Sequence, residues 1–329
     1  MQNVEVILAN FKRAYSGSAE ICQSVIKFYG DFIFTKSPEL SRLEADFEVD
    51  HSTFNHALER ISTTIGFGEI KRRFKKLNLS PEWPQHLPIR LKSGTQISGY
   101  IQNVFLSFPL CIGRIAQEEK DIFGFEFVDR SEDILCSILP RIKNTFINSG
   151  QVLKSLKRVG MSTYIYGVFH EKGHLFGNIS ILLKPYEGLE FGYALPAFRE
   201  YMADLTAFKL AGELPDVILS SFFQRLYWYS QTKNNYDPDK LCFLALFNLV
   251  HDCFLRGYAS DKLYIDLNRL VSVLANAIDS VPHLEMSDSP DKLQKWWSRQ
   301  IKLFEENGSS IYREILKDRA LSWSSGSAI

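Results

Sequence analysis

Apolar residues recur every three to four positions over most of the chain, the spacing that keeps one face of a helix dry. Val4, Ile7, Leu8 and Phe11 predict a helix at the start, and Ile21, Val25, Ile26 and Tyr29 repeat the pattern. Ser52 stands where a cap would open a helix running through Ile61, with Phe54, Leu58 and Ile61 on one side. Residues 1 to about 80 therefore read as helical, and Pro81, Pro84 and Pro88 mark a loop after them. From Ile89 to Phe127 the texture changes. Ile97, Tyr100, Ile101, Val104, Phe105 and Leu106 favour strands, and Gly94, Gly99, Pro109, Gly113 and Gly124 interrupt them.

Helical spacing returns at Ser131, where Glu132 and Asp133 place acids in a first turn and Pro140 is expected to kink the helix. Further helices are expected over 160–177, 197–211, 215–231, 239–256, 262–279, 291–306 and 310–319. Pro196 and Gly212 bracket the second of these in the usual order. The expected architecture is mostly α with a small β segment. It divides into a helical and β region over 1–130, a helical region over 131–321 and a disordered Ser/Gly-rich tail over 322–329.

One motif carries chemistry: His170-Glu171-Lys172-Gly173-His174, an H-E-x-x-H. Residues four apart share a helix face, so both imidazoles can reach one ion. Glu171 lies about 100° round the helix from His170, so it can lean over a metal without ligating it. From there it can take a proton from a water that zinc has acidified. The uncharged run Tyr164-Ile165-Tyr166-Gly167-Val168-Phe169 leads into the motif and points to a buried helix. Buried histidines and a buried glutamate need partners. Two histidines satisfied by solvent or core are the alternative.

A tetrahedral site with one open position needs a third protein ligand. The metzincin extension would put a histidine at position 180, where this chain has Ser180. The segment Arg199-Glu200-Tyr201-Met202-Ala203-Asp204 offers a glutamate instead. Glu200 and Asp204 share a helical face beside an apolar stripe of Phe198, Tyr201, Met202 and Leu205, and Ala203 and Ala207 permit close helix packing. Glu200 can ligate the metal. Asp204, one turn on, can accept from the far nitrogen of a ligating histidine. Glu187 and Glu190 are alternative third ligands, and a rigid helix favours Glu200.

H-E-x-x-H followed by E-x-x-x-D resembles the gluzincin metallopeptidases, and the Glu200–Asp204 helix is faintly similar to that of dipeptidyl-peptidase III relatives. The resemblance spans His170 to Asp204. It implies one zinc per chain held by His170, His174 and Glu200, with Glu171 as general base and Asp204 behind the metal. It also implies a donor to the oxyanion from a later helix, for which His251 is the best-placed candidate; Tyr193, Tyr201 and Tyr258 are others. Arg256 could meet a substrate carboxylate, although a lone Arg at a helix end is ordinarily a solvated charge. The resemblance further implies a zincin-like helix pair where an N-terminal α/β part meets a helical C-terminal part. Substrate backbone would add to a sheet edge drawn from about Ile97 to Phe108.

Composition narrows the field. The 329 residues carry 38 Lys+Arg and 38 Asp+Glu, a balance that argues against a polyanion-binding protein, so no nucleic acid is expected as a partner. The basic run Lys71-Arg72-Arg73-Phe74-Lys75-Lys76 then reads as a solvated face, and the Trp296-Trp297 pair as core. The densest apolar run, Leu241 to Val250, is too short to cross a membrane. Five scattered cysteines without a C-x-x-C pair read as reduced thiols and suggest a cytoplasmic protein. The function expected is a zinc-dependent hydrolase, a metallopeptidase acting on peptides or small amides. The alternatives are a helical binding protein with a degenerate metal site and a His-His-carboxylate iron(II) oxygenase.

Overall fold

The structure is a computed structural model of the 329-residue chain. It describes residues 4–14, 19–22, 25–28, 45–94, 103–104, 123–156, 158–174, 194–228, 238–257, 261–280 and 290–315.

The protein is mostly helical with a small sheet. Helix α1 (Val4–Ala14) precedes the hairpin β1 (Ala19–Cys22) and β2 (Val25–Phe28), then β3 (Ala45–Val49), α2 (His51–Thr64), α3 (Phe67–Lys76) and β4 (Gln85–Gly94). Short β5 (Asn103–Val104) and β6 (Phe123–Phe127) complete a six-stranded sheet of order β1-β2-β3-β4-β6-β5. Every neighbouring pair is antiparallel except β4 with β6. Helices α4 (Val128–Thr145), α5 (Ser149–Ser155), α6 (Val159–His174), α7 (Ala194–Leu210), α8 (Pro215–Trp228) and α9 (Pro238–Val250) follow. A 3-10 turn at His251–Cys253 leads to the hairpin β7 (Phe254–Arg256) and β8 (Leu263–Ile265). Helices α10 (Leu267–Ser280) and α11 (Pro290–Leu303), a π turn at Phe304–Gly308 and α12 (Ser309–Ile315) end the described chain.

Several expectations change. Ile21, Val25 and Ile26 lie in the β1–β2 hairpin and not in a helix. They are β-branched, and a short apolar run satisfies either period. Helix α2 is capped by Asp50 rather than Ser52: the Asp50 carboxylate accepts from Thr53 N at 2.9 Å. Pro88 stands inside β4, not in a loop. Its carbonyl accepts from Asp50 N at 2.9 Å, and the missing donor falls one residue beyond the last β3–β4 pair, Val49 with Ile89. The helix expected over 239–256 stops at Val250, and Phe254–Arg256 is a strand. The helix expected over 262–279 begins at Leu267, after β8. Of the Ile97–Phe108 segment only β5 is described, and it ends the sheet. The 322–329 tail lies outside the described residues.

One apolar cluster runs from Val4 to Ile315 through both halves. Helix α6 sits at its centre, packed by α2, α4, α7, α8 and β6. Apart from Met161 it is buried from Val159 to Gly173, which suits the uncharged run Val159–Phe169 and also takes His170, Glu171 and Lys172 out of solvent. Polar pairs cross these packed surfaces. Asp216 of α8 accepts from Arg60 of α2 at 2.5 Å and from Ser162 of α6 at 2.8 Å. Gln224 of α8 donates to Thr163 of α6 at 2.9 Å. No helix among the described residues is long and apolar enough to cross a membrane.

Candidate metal centre

The H-E-x-x-H motif occupies the last turn and a half of α6. Two side chains of this helix fasten it to the chain around β4. Tyr164 donates to the carbonyl of His86 at 2.7 Å, and Lys172 donates to the carbonyl of Glu82 at 2.7 Å with its ammonium 4.9 Å from the Phe74 ring. On the other side Gly173 meets α7 so closely that an added Cβ would lie 2.7 Å from Ala203 Cα and 3.0 Å from Thr206 Cβ. A glycine at the second x of the motif and Ala203 between Glu200 and Asp204 thus bring the two motif-bearing helices together.

That approach gathers three side chains that could hold a metal ion. His170 Nε2 lies 3.1 Å from His174 Nε2 and 3.2 Å from a Glu200 oxygen, and the other Glu200 oxygen is 3.7 Å from His174 Nε2. Zinc bonds of about 2.0–2.1 Å in a tetrahedron place neighbouring ligand atoms about 3.4 Å apart. The nitrogen–nitrogen contact and the contacts to the two Glu200 oxygens are of that size, one atom from each residue lies within 4.8 Å of the others, and two imidazoles with one carboxylate are a donor set that zinc favours. The residues fit a zinc ion.

Asp204 holds His170 from behind. Its Oδ1 accepts from His170 Nδ1 at 2.7 Å and from the Tyr166 hydroxyl. Its Oδ2 pairs with Arg225 of α8 and accepts from the Cys242 thiol of α9 at 3.1 Å. A carboxylate only accepts, so His170 must carry its proton on Nδ1 and turn the Nε2 lone pair toward Glu200 and His174. Two acceptors, that lone pair and the Glu200 carboxylate, then face each other 3.2 Å apart, an arrangement that a central cation relieves. Asp204 is fully buried and its four donors come from three helices.

The electrostatics suit ligation. Burial pulls the His174 imidazole down to about 4 against the opposing charge of Glu200, which keeps it neutral. Leaving bulk water would raise the Glu200 carboxyl, but its cationic surroundings, Arg225 among them, hold it below the ordinary carboxylate range. Glu171 behaves differently. Burial pushes its carboxyl up to about 7, with His170 opposing and Glu200 adding. Its oxygen is 3.9 Å from His170 Nε2, beside the triad but not part of it.

Other expected site residues lie elsewhere. His251 donates from Nδ1 to the Asn248 carbonyl at 2.9 Å, beyond the far end of α9. Cys242, near the start of that helix, is the residue that touches Asp204. Nine residues at about 1.5 Å each put His251 some 13 Å further along. No described contact brings it to the triad. Tyr201 is buried against Trp296, with ring centroids 5.3 Å apart, and also packs on Trp297. Arg256 belongs to a strand, not a helix end, and its guanidinium pairs with Glu314 at 3.3 Å. Tyr193, Tyr258, Glu187 and Glu190 lie outside the described residues. Tyr166 stands one turn before His170, a spacing that could have disclosed it. Arg225 and Cys242 carry no such signal.

No family profile matches the sequence, and no curated protein matches it. In fold the chain is similar to DPP III from Caldithrix abyssi, at a TM-score of 0.54 and 11% identity over 89% of this chain. The chain spans 58% of the length of that protein, and the likeness establishes a DPP III-like arrangement of helices.

Proposed function

We propose that the chain is a zinc-dependent hydrolase of the gluzincin kind that cleaves peptide or small amide bonds. The observation that carries this reading is the convergence of His170, His174 and Glu200, whose nitrogens and carboxylate oxygens approach one another to 3.1–3.7 Å. The fold likeness to DPP III supports a metallopeptidase in general terms. Zinc, when bound, would acidify a water toward pH 7 and polarise the carbonyl to be cleaved.

The remaining chemistry belongs to the protein. Asp204 fixes the His170 tautomer so that Nε2 faces the ion. Glu171, buried beside the triad with an oxygen 3.9 Å from His170 Nε2, takes the proton of the attacking water and passes it to the departing amine. Substrate backbone would pair along β5, the strand that ends the sheet.

The test is metal content and hydrolysis in three variants. His170→Ala and Glu200→Ala should lose zinc. Glu171→Gln should keep zinc and lose about 10²–10⁴-fold in rate. Parent-like zinc in both ligand variants would overturn the site, and parent-like hydrolysis in Glu171→Gln would overturn the mechanism. Stoichiometric iron in place of zinc would favour the oxygenase.

A further inference from the structure

Asp204 is more heavily held than a carboxylate that only orients one imidazole needs to be. Its two oxygens do different work. Oδ1 takes His170 Nδ1–H and the Tyr166 hydroxyl, while Oδ2 takes Arg225 and the Cys242 thiol. Arg225 arrives from α8, which contributes no ligand. Its guanidinium lies 5.0 Å from the centroid of the Tyr166 ring, so one cation braces both the acid and the phenol that share Oδ1. The Asp204 side chain is fully buried, whereas that of Arg225 keeps 17% of its surface in solvent.

We propose that Arg225 is a positioning residue of the metal centre: its ion pair with Oδ2 fixes the rotation of the Asp204 carboxylate, so that Oδ1 locks His170 with Nε2 toward the ion. The inference rests on the metal-centre reading. It assigns a role in zinc affinity to a residue that touches neither the ion nor substrate.

The experiment uses the full chain and zinc itself. Affinity is read by competition with a chromophoric chelator, and ligand geometry by the visible spectrum of the cobalt(II)-substituted protein. Arg225→Met should bind zinc about 10–100-fold more weakly and alter the cobalt spectrum. Arg225→Lys retains the charge without the fork, and Arg225→Gln retains a donor without the charge. Affinity in the order parent, lysine, glutamine supports the proposal, and that order decides the matter should the methionine variant not fold. Equal affinity in the lysine and glutamine variants, or the reverse order, overturns it, as does parent-like affinity in Arg225→Met. A parent chain that takes up no zinc overturns the metal-centre reading and this inference with it. A parent that binds zinc while the variants bind equally well overturns this inference alone.

Discussion

Gly173 and Ala203 meet with no room for a side chain between them: a Cβ on Gly173 would lie 2.7 Å from both the Cα and the carbonyl oxygen of Ala203. Carbon atoms in contact sit about 3.5–4.0 Å apart, so one methyl group forces α6 and α7 apart by about an ångström. The obstacle is backbone and cannot swing aside. Gly173→Ala should lower stability by about 1–3 kcal/mol. It should also weaken zinc binding, because His174 and Glu200 ride on the two separated helices. Urea unfolding together with a zinc titration checks both, and unchanged values for both would contradict the packing.

Asp204→Ala is expected to do more than loosen the metal. It removes an ion-pair partner of a largely buried Arg225, and breaking such a pair typically costs about 3–5 kcal/mol. The more informative change is Asp204→Asn, which keeps shape and one acceptor. It should fold and bind zinc about 10–100-fold more weakly. Parent-like affinity in a folded Asp204→Asn would show that His170 does not depend on this carboxylate.

His86 supplies a pH dependence. The ring is fully buried, and burial, helped by the charge of His170, brings it down to about 3 from an ordinary value of 6.5. The folded value is the lower one. Its contribution to stability is therefore complete above pH 6.5 and is lost as pH falls toward 3, where the unfolded chain takes up a proton that the native chain refuses. The slope is about 1.4 kcal/mol per pH unit for one such group. Denaturant midpoints of the metal-free protein between pH 7 and 5 should show it. His86→Gln should flatten the dependence by about one proton, and an equal slope in both would refute the assignment.

Lys172 lies inside the motif yet faces away from the triad, toward Glu82 and Phe74. Lys172→Met keeps the apolar stem and drops the hydrogen bond. The expected cost is about 1 kcal/mol, with zinc content and hydrolysis preserved. Loss of hydrolysis at full zinc occupancy would give this ammonium a place in the chemistry.

The motif helices were legible in the sequence because their signals are local. His170, Glu171 and His174 sit within one turn, Glu200 and Asp204 within another, and small residues mark where helices touch. The hairpin of Ile21, Val25 and Ile26 was not legible, since four-residue strands leave too few positions to separate period two from period 3.6. Pro88 reads as a loop until the neighbouring strand is seen to stop at Val49. Arg225 and Cys242 reach Asp204 only through the packing of α8 and α9 on α7, a matter of tertiary contact that no spacing encodes.

Sequence distance also separates what binds from what buries. The two histidines are four residues apart and His170 meets Asp204 across 34, whereas the bonds that seal α6 against the β4 region span 78 and 90. The entropic cost of closing a loop rises with its length, by about 0.6 kcal/mol per doubling. The expected order of assembly is thus ligands first and cover second. A chain still folding would offer zinc a formed pair of histidines before β4 has closed over the helix, so that the ion serves as a nucleus for its own enclosure. Pulse-labelled hydrogen exchange with and without zinc would read that order, through earlier protection of α6 than of β4 when zinc is present.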